Sequence, residues 1–265
     1  MDLTATVLIA TIILVACEKS QVSNVEFSAM EEQTLANPAN PDNPYDYYGL
    51  MHNEYVRKVL DEMPDLSNVS IDERLSVLNS TIQNVLLKDG FMMTKSTNLE
   101  DGEELMAAIL SLIGDAENSY ANFIDTLNFD SETKQQLQIL FNDVISMSEN
   151  KNLTVDDVLD AVIEFENKVL NNVITIPAND REAFLGSTST LRHSLAFWYD
   201  EMDMDEGNGD DEMELRGNWW RWAIVGAADA AGYFYGGGGW EGAALGANFS
   251  LIAYAILFKI IPALS

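Results

Sequence analysis

Apolar positions recur at three- and four-residue spacings through most of the chain, the period of helices that bury one face. Tyr48, Val56, Val59, Leu60 and Met63 follow this spacing and predict a helix over 45–63, stopped by Pro64. Ile71, Leu75, Leu78, Ile82, Val85 and Leu86 predict the next, opened by a Ser70-Ile71-Asp72-Glu73 capping-box pattern and closing near Gly90. Further helices are predicted over 103–113, 115–127, 131–147, 154–171 and 179–199. Asp156 and Asp157 would lie in the positive first turn of the helix that starts at Thr154. No convincing strand alternation and no clear internal repeat interrupts this texture. Short loops between amphipathic helices predict an all-α fold, a helical bundle over 45–199.

Two segments break the pattern. Residues 200–215 form an acidic linker, with nine acids between Asp200 and Glu214 and Gly207-Asn208-Gly209 at its centre. Beyond it, residues 216–265 hold three bases, two acids and four of the five tryptophans: Trp219, Trp220, Trp222 and Trp240. Gly232 and Gly236 are four apart, as are Gly238, Gly242 and Gly246. On a helix such spacing leaves a smooth face where another backbone can approach closely. The expected shape is a glycine-rich hydrophobic helical hairpin, with arms 219–235 and 240–261 and a turn at 236–239. Two readings stand for it. Either the hairpin packs on itself or on the bundle, or it inserts into a membrane or self-associates there. Its tryptophans and Lys259 would suit membrane interfaces, whereas Asp229 makes the first arm a poor autonomous span. The alternating glycines and aromatics resemble the glycine-zipper tails of small pore-forming bacteriocins, in composition only.

The N-terminus carries a different signal. Leu3 to Ala16 are about fourteen uncharged, mostly apolar residues, too few for a transmembrane helix and suited to a signal-peptide core. The run ends in Leu14-Val15-Ala16-Cys17, which resembles the lipobox of bacterial lipoproteins. That resemblance implies removal of residues 1–16 and lipid on the Cys17 sulfur. Residues 17–44 then read as a tether, polar and punctuated by Asn37-Pro38, Asn40-Pro41 and Asn43-Pro44. Met1-Asp2 departs from the pattern, because signal peptides normally open with positive charge.

Charge excludes one class of partner. Forty-three acids against 14 bases leave a formal net charge of −29, which repels nucleic acid phosphates. The same balance suits solubility, cation binding or a basic protein partner. Cys17 is the single cysteine, so no intrachain disulfide forms.

Candidate chemistry is sparse, and no catalytic residues are expected. His52 and His193 are the only histidines. A metal site would need both to converge with carboxylates; otherwise each is a surface or satisfied core histidine. Ser187, Ser189 and Ser194 lie near His193 without a nucleophile elbow. Counting Asp203 as first puts Asp205 third, Asp211 ninth and Glu214 twelfth in a partial calcium loop. Gly207 at the fifth position offers no ligand and Asn208 replaces the sixth-position glycine. No other cofactor is indicated. Two readings stand for the segment at Pro44: it docks a partner, with Asp46 capping the helix and Tyr45, Tyr47 and Tyr48 presenting aromatic surface, or Pro44 and Asp46 simply begin the first helix while those tyrosines staple the tether to the bundle.

Asn43-Pro44-Tyr45-Asp46-Tyr47-Tyr48-Gly49, then His52-Asn53, resembles a signature of uncharacterised exported lipoprotein-like proteins of Bacteroidota. Asp229-Ala230-Ala231-Gly232 is similar to the glycine-rich tail that accompanies it. The resemblance implies a bacterial envelope protein, periplasmic or surface-facing, held to a membrane through Cys17, and supplies no activity. The competing expectation is a soluble exported ligand-binding module or enzyme with a pocket between body helices.

Overall fold

The computed structural model describes residues 37–65, 69, 73, 77, 80, 81, 84, 85, 88, 122, 124–150, 152–205, 220–235 and 238–254. The fold is all-α. The expected helix at 103–113 lies outside the described residues, and the expected helices at 70–90 and 115–127 are described only at scattered positions.

Six helices are described along their length. The first, α1 (Tyr47–Glu62), buries Tyr48, His52, Tyr55, Val56 and Val59 at helical spacing. It ends where Met63 becomes extended ahead of Pro64, the Met63 amide closing the last turn on Leu60 O. Helix α2 (Ser131–Glu149) is capped by Asp130, whose side chain accepts from the Glu132 amide. Helix α3 (Val155–Leu170) opens with a full capping box: Thr154 accepts from the Asp157 amide while the Asp157 carboxylate accepts from Thr154 N. Its C-terminus is closed by Asn172 at φ 56° and by Arg181, which donates to the carbonyls of Val169 and Leu170 at 2.8 and 3.0 Å.

Helix α4 (Arg181–Asp205) is the axis of the molecule. Every residue from Ala183 to Trp198 is buried, so this helix faces protein on all sides. It also runs past the expected end at Tyr199 and takes the first acids of the 200–215 block into its last turns. Around it pack α1, α3 and the C-terminal hairpin, formed by α5 (Trp220–Tyr235) and α6 (Gly239–Tyr254). The hairpin is not an appendage. Val225, Ala227, Ala228, Ala230, Ala231, Ala244, Ala247 and Phe249 belong to the same core as Val56, Val158 and Leu191.

Small residues set the distance between the two arms. A Cβ added at Gly246 would stand 2.7 Å from the Asp229 carbonyl oxygen, and one at Gly232 would stand 2.9 Å from the Gly246 Cα. Those spaces are filled by backbone, so the glycine spacing serves close approach within this chain. Gly238 and Gly239 turn the hairpin at φ 85° and 67°, in the left-handed region. The Gly239 amide donates to the Tyr233 hydroxyl at 2.9 Å. Gly236, Trp219 and the span 255–261 lie outside the described residues, and so do the side chains of Trp220, Trp222 and Trp240. Among the described residues no helix is long and apolar enough to cross a membrane.

This packing makes a clear distinction between glycines. Gly246→Ala, which drives a methyl into rigid backbone, is expected to lower unfolding free energy by about 1–3 kcal/mol in urea titrations. Gly226→Ala, whose Cβ would meet only the flexible Leu191 and Leu195 side chains, is expected to stay within about 1 kcal/mol of the parent, because alanine also favours the helix.

Candidate functional site

The polar residues of the signature, of α4 and of the tail meet in the interior. The approach to α1 begins with two asparagines. Asn40, buried, donates through Nδ2 to Glu166 Oε2 at 2.6 Å, and its amide donates to Asp46 Oδ2 at 3.2 Å. Asn43 folds an Asx turn, its Oδ1 accepting from the Tyr45 amide, while its Nδ2 reaches the Leu185 carbonyl at 2.9 Å. These bonds pin the chain entering α1 to α3 and α4.

Asp46 stands at the N-terminus of α1 but does not cap it. Its side chain makes no bond to the helix amides. The carboxylate is turned inward, where Arg192 Nη2 donates to Oδ1 at 2.5 Å and the Ser189 hydroxyl faces the same oxygen at 3.2 Å. The His193 ring nitrogen lies 3.4 Å away. A buried guanidinium offers more to a carboxylate than helix amides that water can also reach, so the ion pair takes the group. Burial alone raises the affinity of Asp46 for its proton. His193 and Arg192 outweigh that and hold its pKa at about 2.

Arg192 bridges two carboxylates. Its Nε donates to Glu166 Oε1 at 3.1 Å, and both of those side chains are fully buried. Burial pushes the Glu166 carboxyl above its ordinary value, against the pull of Arg192, Thr188 and Asn40. His193 is pushed down, first by burial, with Asp46 working the other way. Gly49 makes this possible, since a Cβ there would run into the His193 ring.

The second half of the network joins α1 to the hairpin. Asn53 Nδ2 donates to the His193 carbonyl at 2.8 Å, which turns Asn53 Oδ1 toward His52 Nδ1 at 2.9 Å. His52 Nε2 then faces Asp229 Oδ2 at 3.3 Å, close enough for an ion pair but not aligned as a hydrogen bond. Ser194 on α4 donates to the same Asp229 oxygen. Burial raises the Asp229 pKa, against His52 and the hydroxyls of Ser194 and Ser250. Ser250 also accepts from Trp198 Nε1 at 2.7 Å. Above this layer the Tyr48 hydroxyl donates to Glu182 at 3.0 Å, and its ring lies 5.5 Å from that of Tyr233.

This arrangement limits the chemistry. Ser194, Asp229 and His52 line up with the carboxylate in the middle, so the imidazole does not take the serine proton as a nucleophilic triad requires. The His52 and Asp229 side chains are 0 % exposed. The two histidines serve separate carboxylates and do not converge. Among the described residues no group of three His, Cys, Asp or Glu could hold a metal ion. Asp203 and Asp205 fall on the last turns of α4, whereas Asp211, Glu214 and Cys17 lie outside the described residues. Between α2 and α3 a shallow groove of about 260 Å³ is floored by Val144, Val162 and Phe165, with Asp143, Glu164 and Lys168 among its lining residues.

Both histidines are the satisfied core histidines that the sequence allowed, Asp46 is not the expected cap, and spacing did not single out Arg192 or Glu166. One signal was present. Arg192 is the only Asp, Glu, Lys or Arg between Ala183 and Tyr199, and a lone cation in a stretch that reads as buried demands an anion. No family model, curated protein or solved structure matches this chain.

Arg192→Met leaves Asp46 and Glu166 without their shared cation and is expected to cost about 3–5 kcal/mol by chemical denaturation at neutral pH. Adding Glu166→Gln should return part of that loss, because one uncompensated carboxylate is then gone. On the acid side the sign follows from Asp46 and His193, whose folded values lie below their unfolded ones. Stability is expected to fall as pH drops below the ordinary histidine range, and again between the normal aspartate range and about 2. Asp46→Asn should remove the second fall in a thermal-melting series across pH.

Proposed function

We propose that the protein is a lipid-anchored component of a bacterial cell envelope, exported on the 1–16 leader and moored through Cys17. Its acidic helical domain acts as a non-enzymatic module. The observation that carries this reading is the apolar run ending in Leu14-Val15-Ala16-Cys17 and followed directly by polar residues. Two features of the fold support it. Among the described residues the first buried ones are Pro38 and Asn40, well past Cys17 in sequence. Among the described residues His52, His193, Arg192, Asp46, Glu166 and Asp229 are engaged with one another inside the bundle, which suits a structural role for them. The hairpin's small-residue faces are occupied by its own chain, which favours a place in the domain core over insertion into lipid.

Metabolic labelling with a clickable fatty acid tests the anchor. The wild-type protein is expected to carry label and to follow the detergent phase on partitioning. Cys17→Ala should lose the label and move to the aqueous phase. Unlabelled wild-type protein would overturn the lipid anchor. A Cys17→Ala protein that still entered detergent would instead make the hairpin the membrane element.

A further inference from the structure

The buried network contains more acid than fixed base. Asp46 comes from the start of α1, Glu166 from α3 and Asp229 from α5, against the single guanidinium of Arg192 on α4. With all three carboxylates ionised and both imidazoles neutral, the cluster would hold a formal charge of −2, three negative charges against one positive. The side chains of Glu166, Asp229, Arg192 and His52 are 0 % exposed and that of His193 only 2 %. The Asp46 side chain, at 17 %, is the one member that water reaches, and it is paired with Arg192, so the excess on Glu166 and Asp229 is poorly screened. A neutral cluster needs two protons besides those of Arg192.

The geometry locates one of them. The Asn53 amide must direct its Nδ2 to the His193 carbonyl, so its oxygen meets His52 Nδ1, and that nitrogen carries the hydrogen. A neutral His52 then presents a lone pair at Nε2 to Asp229 Oδ2, 3.3 Å away. Two acceptors at that distance repel unless a proton sits on one of them. No fixed cation is at hand. Asp46 and Glu166 engage Arg192, His193 faces Asp46, and the described buried side chains of α2 and α6 bring no charge. Asp229 Oδ1 has no hydrogen-bond partner among the described residues, a state that a neutral acid tolerates far better than an anion.

We propose that His52 and Asp229 form a proton-loaded latch: the pair shares one buried proton, and its loss as pH rises loosens the α5–α6 hairpin from α1. The pair lies where the two units touch. Gly246 of α6 rests on the Asp229 carbonyl, and a Cβ there would stand 3.4 Å from the His52 ring. Movement of either side chain is therefore felt by both arms. The direction agrees with the environment of Asp229, whose pKa burial raises. A folded value above the unfolded one stabilises at low pH and loses that contribution as pH rises through the folded value.

The test uses the domain that follows the leader, titrated by NMR on the Asp229 carboxyl carbon and the His52 ring nitrogens. The Asp229 carboxyl is expected to hold its proton well beyond the ordinary carboxylate range, the direction in which burial moves it. Hydrogen exchange of α5 and α6 amides, corrected for intrinsic base catalysis, should quicken about tenfold from pH 7 to 9. In Asp229→Asn, which offers Nε2 an amide hydrogen that does not titrate, the change should stay under about twofold. An Asp229 carboxyl that loses its proton within the ordinary carboxylate range, or equal quickening in Asp229→Asn, would overturn the latch. If the variant does not fold, the titration of the unaltered protein decides alone.

Discussion

Arg192 is the single Lys or Arg fully buried among the described residues, and the position of three other elements depends on what it holds. One nitrogen fixes Asp46 at the start of α1 and another fixes Glu166 on α3. Asn40 closes the loop by joining Glu166 to the chain entering α1. A guanidinium withdrawn from water is tolerable only with its anions in place. The constraint therefore runs both ways. The cation fixes where α1 and α3 lie against α4, and their carboxylates keep α4 from exposing its charge.

The hairpin is joined to this frame by different means. Against α1 and α4 it offers glycine and alanine, whose close packing gives extensive contact but little directional preference. Direction comes from the few polar atoms: Asp229 to His52 and Ser194, the Ser187 hydroxyl to the Ala230 carbonyl, and Trp198 to Ser250. A smooth surface could slide by a turn. A buried carboxylate with specific partners cannot, because every other register strands it.

These two layers also explain how a chain of net charge −29 sustains a core that contains acids. Among the described residues most acids stay on exposed faces, where water screens them. The interior acids are each met by a donor, a cation or a proton. Such a core is stabilised in a bounded pH range, since acid weakens the Asp46 and His193 arrangements while rising pH works against the raised Glu166 and Asp229 carboxyls.

The positions of the described helices, the helix start at Thr154, the break at Pro64 and the hairpin turn were legible in the residues, because spacing, capping and glycine conformation act over a few positions. The proposed leader and lipidation at Cys17 rest likewise on short local patterns. Tertiary structure alone decided the partners. Whether Asp46 caps its own helix or serves Arg192, 146 residues away, depends on which group is desolvated beside it. Whether Asp229 spoils a membrane span or answers His52 depends on the other helix that reaches it. The glycine spacing announced a close approach but not which backbone would make it. Linear spacing encodes periodicity; pairing of buried charges is settled only when distant segments leave water together.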